Sequence, residues 1–190
     1  MLLAALVAAA VLTVPLLGGS FRRLAGARLR AIGLVPMALA VQVAVISVST
    51  GLPRPVLAAA HIATYAAMGI VVLANRRIPG VLVAGAGGLS NGVVIAINRG
   101  TLPASRAAEL AARPPTASGL PNSAALAHPH LAFLGDVWAT PSWLPLHNVY
   151  SIGDVVLLIG VCWMVHALAG SDPRRVVSRL RGRTPATAAS

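Results

Sequence analysis

Apolar residues run through this chain in long blocks, and polar residues fall between the blocks instead of alternating with them. A hydrocarbon core about 30 Å thick is crossed by roughly 20 residues of helix. Five blocks approach that length: 2–17, 31–49, 56–74, 79–98 and 152–168. None shows the strict alternation of a half-buried strand, so each predicts a helix. The fold class that follows is all-α: a polytopic membrane helix bundle of five transmembrane helices within residues 1–170, a long external loop over 99–150, and a basic tail over 171–190. Pro36, inside the second block, predicts a bend there, because proline removes an internal hydrogen bond.

Composition supports the same class. Hydrophobic residues make up 57% of the chain and charged residues 10%, which is too little polar material to cover a water-soluble surface. The net charge of +11 comes from fifteen arginines and no lysine. These arginines flank the apolar blocks and are not interleaved with stacking aromatics, so the expected counter-charge is anionic lipid headgroups and not nucleic acid. The first connection carries Arg22, Arg23, Arg28 and Arg30, the third Arg76 and Arg77, and the tail five more; the second carries only Arg54 and the fourth Arg99, Arg106 and Arg113. Basic residues concentrate on the cytoplasmic side. The expected location is therefore the plasma membrane, with the N-terminus outside and the C-terminus in the cytoplasm. The first block has no basic residue before it and four arginines after it, the pattern of a retained helix and not of a cleaved leader. The lone Cys162 permits no internal disulfide.

The fourth connection is too long for a simple turn. The stretch "ASRAAELAARPP" predicts a short helix with Glu109 facing Arg113 until Pro114 ends it. Residues 131–149 are apolar but broken by prolines and Asp136, which predicts a re-entrant or surface-lying segment with Trp138, Trp143 and Tyr150 at headgroup level.

Small residues recur at every fourth position of the fourth block: Gly80, Ala84, Gly88, Gly92 and Ala96. Such spacing favours close helix packing and offers a face for a membrane-protein partner. Polar groups at membrane depth need partners. Among those within the blocks are Gln42, His61, Thr64, Tyr65, Ser90, Asn91, Asn98, Asp154 and His166, with Gln42, Tyr65 and Asn91 as one expected hydrogen-bonded cluster and His61, Thr64, Tyr65 and Met68 on one helical face.

The chain has only four acidic residues, and two of them sit in the similar phrases "LGDV" and "IGDV". Ser151 and Asp154 fit a capping box at the start of the last helix. With Asn98 and Arg99, the two acids Asp136 and Asp154 are the candidate binding residues for a small solute or ion at the outer mouth. His128, His130 and His147 near Asp136 resemble a metal set by residue type alone; their spacing is loose, so no metal or cofactor is expected. No catalytic motif is present, and enzyme activity on a lipid or isoprenoid substrate is the third-ranked reading, behind solute handling and a non-catalytic subunit that docks a partner.

The phrases "NRGTLP", "HPHLAFLGDV" and "NVYSIGDVVLLIG" resemble the pattern of a bacterial domain-of-unknown-function family of small multi-pass membrane proteins. That pattern has N-x-G-x-M-P after one span and two Gly-Asp phrases around the last; Leu102 stands here at the Met position. The resemblance implies membrane location and a shared cluster of motifs at the outer face. It implies no chemistry.

Overall fold

The computed structural model describes residues 2–47, 53–112, 123–124, 126–141, 148–172, 174 and 177. Each apolar block yields a helix: α1 (Leu2–Leu12), α3 (Leu34–Ser47), α4 (Arg54–Ala74), α5 (Val81–Ile97) and α7 (Ile152–Ala169), with short α2 (Phe21–Ala25) and α6 (Arg106–Ala112) between them. Helices α4 and α7 are long and apolar enough to cross a membrane, whereas Leu3–Leu12, Leu34–Val45 and Val81–Ile97 are apolar but shorter. Only 11% of the apolar window of α4 and 22% of that of α7 are buried. The core helix of a water-soluble protein hides most of its apolar face, and these do not.

Pro36 occupies the first turn of α3, because the helix begins at Leu34 and not at residue 31. Amide hydrogens of a first turn have no intrahelical partner, so proline removes nothing there and the expected bend has no cause.

The apolar helices contact one another in the order α1, α7, α5, α4, α3, with the closest packing between α5 and α7. This arrangement leaves Leu39, Ile70, Leu73, Leu89, Ile159 and Trp163 more than half exposed. Water would penalise so broad an apolar surface.

The α5–α7 joint is made backbone to backbone. A Cβ on Gly87 would run into the Leu157 amide and the Gly153 carbonyl, one on Gly160 into the Ala84 amide, and one on Gly80 into the Gly160 carbonyl. Small residues do permit this approach, but the face differs from the expected stripe. Each step of four along a helix overshoots one turn by about 40°, so the row at every fourth position winds around α5. Gly80 and Ala84 meet α7; a Cβ at Gly88 would be only in ordinary contact with the Leu157 side chain at 3.7 Å; Gly92 lies against the Tyr65 ring; and Ala96 is exposed. The sequence positions that stay in line on the α7 side are Gly80, Ala84, Gly87 and Asn91.

The long connection departs from an all-α architecture. Besides α6 it holds β1 (Leu102–Pro103) paired in parallel with β2 (Ser123–Ala124), a single 3-10 turn at Ala132–Leu134, and an antiparallel hairpin of β3 (Asp136–Ala139) with β4 (Val149–Ser151). The segment expected to re-enter the membrane or lie on its surface holds, in its described part, the 3-10 turn, β3 and the start of β4. Its alternating β-branched and aromatic residues suit a pleated surface. Trp138 and Tyr150 are directly opposed, with ring centroids 5.8 Å apart. Trp143, His147, Arg113 and the tail arginines other than Arg174 lie outside the described residues.

Two small cores anchor the ends of the helices. Val94, Ile95 and Leu102, with Ile62, Tyr65 and Leu134 around them, close the hairpin end. Val14, Val165 and Ala169 close the opposite, arginine-rich end.

Candidate functional site

At the hairpin end, α7 begins where β4 stops, and the junction is a complete capping box. The Asp154 amide donates to Ser151 Oγ at 3.1 Å, and the Ser151 amide donates to Asp154 Oδ2 at 3.0 Å. The carboxylate lies at the positive end of the helix dipole, which favours its charge. The box is extended by α5. Asn91 Nδ2 donates to Asp154 Oδ1 at 2.8 Å, and Ser151 Oγ donates to Asn91 Oδ1 at 2.9 Å. Reversing the Asn91 amide would set its oxygen against a carboxylate oxygen, so the network fixes its orientation. Gly153 is what admits Asn91: a Cβ there would overlap Asn91 Oδ1. The glycine of the second Gly-Asp phrase is therefore a steric requirement of this contact.

The first Gly-Asp phrase joins the same assembly from the hairpin. Asp136 pairs across the strands with Ser151, and the extra residue between Asp136 and Trp138 makes Val137 a bulge. Bulges redirect side chains next to them. Asp136 is 5% exposed. Its carbonyl accepts from the Ser105 amide at 2.9 Å, and Ala104 bridges to it in parallel. A Cβ on Gly135 would meet the Pro103 carbonyl. Tyr65, on α4, is within electrostatic reach of both Asp154 and Asp136. The structure thus brings both Gly-Asp phrases, Asn91 and Tyr65 together.

Asn98 lies beside this assembly and acts on the main chain. Its Nδ2 donates to the carbonyls of Val94 and His130 at 2.8 and 2.9 Å, and its Oδ1 accepts from the His130 amide at 2.9 Å. Arg99 and Gly100 follow in left-handed conformation, φ 57° and 93°, and this turn presents the Gly100 carbonyl to His61 Nδ1 at 3.1 Å. A carbonyl only accepts, so Nδ1 carries a proton in this contact. Arg99 is exposed at the surface of this turn.

The expected Gln42–Tyr65–Asn91 cluster does not form. Gln42 Nε2 donates to Thr64 Oγ1 at 3.0 Å, while Asn91 turns to α7. Thr64 and Tyr65 are neighbours in sequence and about 100° apart on the helix, so α3 and α5 meet different sides of α4. Of the four residues expected on one face of α4, His61 and Thr64 are buried, and Tyr65 and Met68 are half-buried. His128 and His130 are exposed, and no group of three or more His, Cys, Asp or Glu side chains converges among the described residues.

Two polar ties at the arginine end were not legible in advance. Asn75, which caps α4, repeats the Asn98 device: Nδ2 donates to the Val71 and Arg30 carbonyls at 2.7 and 2.8 Å, and Oδ1 accepts from the Arg30 amide at 2.9 Å. The one signal for it is an Asn directly after an apolar helix. His166 joins α1 to the end of α7, with Nε2 3.3 Å from Thr13 Oγ1 and Nδ1 2.9 Å from Ser171 Oγ. The Thr13 hydroxyl donates to the Ala10 carbonyl, so its oxygen is left to accept from His166 Nε2.

Neither the curated proteins nor the solved structures contain a match to this chain. A family model described as a family of unknown function (DUF5317) matches residues 26–166. That span takes in Asn75, Asn91, Asn98 and both Gly-Asp phrases, together with the helices that carry them, and the chain belongs to the DUF5317 family.

Proposed function

We propose that this chain is a multi-pass protein of the plasma membrane, with five spanning helices, an external N-terminus and a cytoplasmic C-terminus, and that it handles a small cation or cation-carrying solute at its outer end. One observation carries the functional part. Two of the chain's four acidic residues lie at the β4–α7 junction, Asp136 opposite Ser151 across the strands and Asp154 in the first turn of α7, and both act electrostatically on Tyr65. Like charges in a poorly solvated place favour an intervening cation or proton. Asp136 and Asp154 are the binding groups, Asn98 holds the segment that leads into Asp136, and Arg99 stands at the exposed rim.

Docking of a partner through the small-residue face of α5 is the weaker reading, because α7 and Tyr65 already occupy most of that face. An enzymatic reading draws on His128 and His130 with Asp136 and Asp154; it has less support, because the two histidines are exposed and no three His, Cys, Asp or Glu side chains converge among the described residues.

The test is flux in reconstituted vesicles containing a sodium-sensitive or a pH-sensitive dye. The intact protein is expected to carry one of these cations, and Asp136→Asn, which keeps the side chain's size, is expected to reduce the rate by about tenfold or more in protein that still unfolds cooperatively in detergent. Equal flux with and without protein, or an unaffected Asp136→Asn variant, contradicts the proposal.

A further inference from the structure

The first and third connections are far apart in sequence, yet the paired hydrogen bonds between Asn75 and the Arg30 main chain clamp them together. The consequence is local. Arg28 and Arg30 from one connection and Arg76 and Arg77 from the other become a single patch at the C-terminal end of α4, and all four are exposed. Arg76 is held in place by donating from Nη1 to the Leu73 carbonyl at 3.0 Å. Two large apolar side chains border the patch: Leu73, 61% exposed, and Ile32, 47% exposed. No acidic residue lies in either connection.

From this juxtaposition we infer a binding site for an anionic phospholipid of the cytoplasmic leaflet, with its phosphates on the arginines and its acyl chain along Leu73 and Ile32. The chemistry is complementary at both ends. Guanidinium groups bind phosphate through paired N–H donors, and basic pockets beside membrane helices on the cytoplasmic side select anionic headgroups. A lipid with two phosphates fits four arginines better than one with a single phosphate. Asn75 has the positioning role: it builds the patch without touching the lipid. The inference rests on the membrane reading given above.

The experiment is native mass spectrometry of the detergent-purified full chain, titrated separately with diphosphatidylglycerol, phosphatidylglycerol and phosphatidylcholine. Retention is expected to fall in that order. The pair Arg28→Gln and Arg77→Gln is expected to weaken diphosphatidylglycerol binding roughly 30-fold, whereas Arg28→Lys with Arg77→Lys keeps most of it. Arg22→Gln with Arg23→Gln removes the same charge from α2 and is expected to have little effect. Equal retention of neutral and anionic lipid, or equal loss in both glutamine pairs, overturns the site. If the first glutamine pair does not fold, the lipid order of the wild type and the lysine pair still decide. A protein that stays in solution without detergent would overturn the membrane reading itself; a detergent-dependent one that ignores anionic lipid overturns only this inference.

Discussion

Gly160→Leu is expected to abolish the folded protein, while the same change at Gly69, in the same family of apolar helices, is expected to leave it intact. A Cβ at Gly160 would lie 2.6 Å from the Cα and 2.8 Å from the Cβ of Ala84, besides overlapping its amide, whereas nothing stands within 4 Å of the Cβ position at Gly69. The obstructing atoms are mostly backbone, so no rotamer change relieves them. Helices α5 and α7 must separate, and the contacts at Gly80, Gly87 and Gly153 go with them because all four sites share one seam. Ordinary overpacking is destabilising by about 1–3 kcal/mol; loss of the central seam exceeds that. Gly160→Ala is expected to lower the thermal transition in detergent clearly, Gly88→Ala hardly at all. Equal transitions for the alanine variants at 160, 88 and 69 would mean that α5 and α7 are not in backbone contact.

The second large effect concerns the charge in the Asn91–Ser151–Asp154 network. Asn91→Asp alone sets a second carboxylate against Asp154 Oδ1, where the Asn91 amide donated at 2.8 Å, and Asn91 is 4% exposed. An uncompensated buried charge of this kind is destabilising by about 3–5 kcal/mol. Asp154→Asn alone leaves two amide groups to share one acceptor, a loss nearer the 1.5–3 kcal/mol of a charge-assisted hydrogen bond. The exchange of both, Asn91→Asp with Asp154→Asn, rebuilds every bond: residue 154 donates to residue 91, Ser151 Oγ still donates to residue 91, and the Ser151 amide still finds an oxygen on residue 154. Stability is therefore expected to recover by more than half relative to Asn91→Asp, though not fully, because the carboxylate leaves the helix N-terminus. Unfolding measured in detergent across the four variants gives the coupling. Additive single effects would show that the two side chains do not meet. The exchange also separates fold from function, since the site keeps its hydrogen bonds but loses the carboxylate at position 154, and cation flux is expected to stay low.

Much of this architecture is written in the hydropathy pattern. The five helices lie where the apolar blocks fall, within a few residues at each end except for α1, because helix existence follows from the length of an apolar run. The Ser151–Asp154 box was equally legible, since its spacing is fixed by local backbone geometry. Which residues meet across helices was not. Gln42 bonding Thr64 instead of reaching Tyr65, and Gly87 instead of Gly88 at the seam, both turn on helix rotation, and about 100° separates neighbours. The hairpin was hidden for a different reason: its strands are three and four residues long, too short for alternation to stand out from an apolar background. In both Gly-Asp phrases the glycine makes room for a specific group, the Pro103 carbonyl at Gly135 and the Asn91 amide at Gly153.

The idea on which the rest depends is that lipid surrounds these helices and that the arginine-rich end faces the cytoplasm. Membrane-impermeant thiol labelling tests it most directly, in a Cys162→Ser background with a single cysteine introduced either by Leu110→Cys, on 72%-exposed Leu110 of α6, or by Ala25→Cys, at the exposed end of α2. In intact cells Leu110→Cys is expected to label and Ala25→Cys to stay silent until the membrane is permeabilised. Labelling of both alike, or in the reverse order, would contradict it.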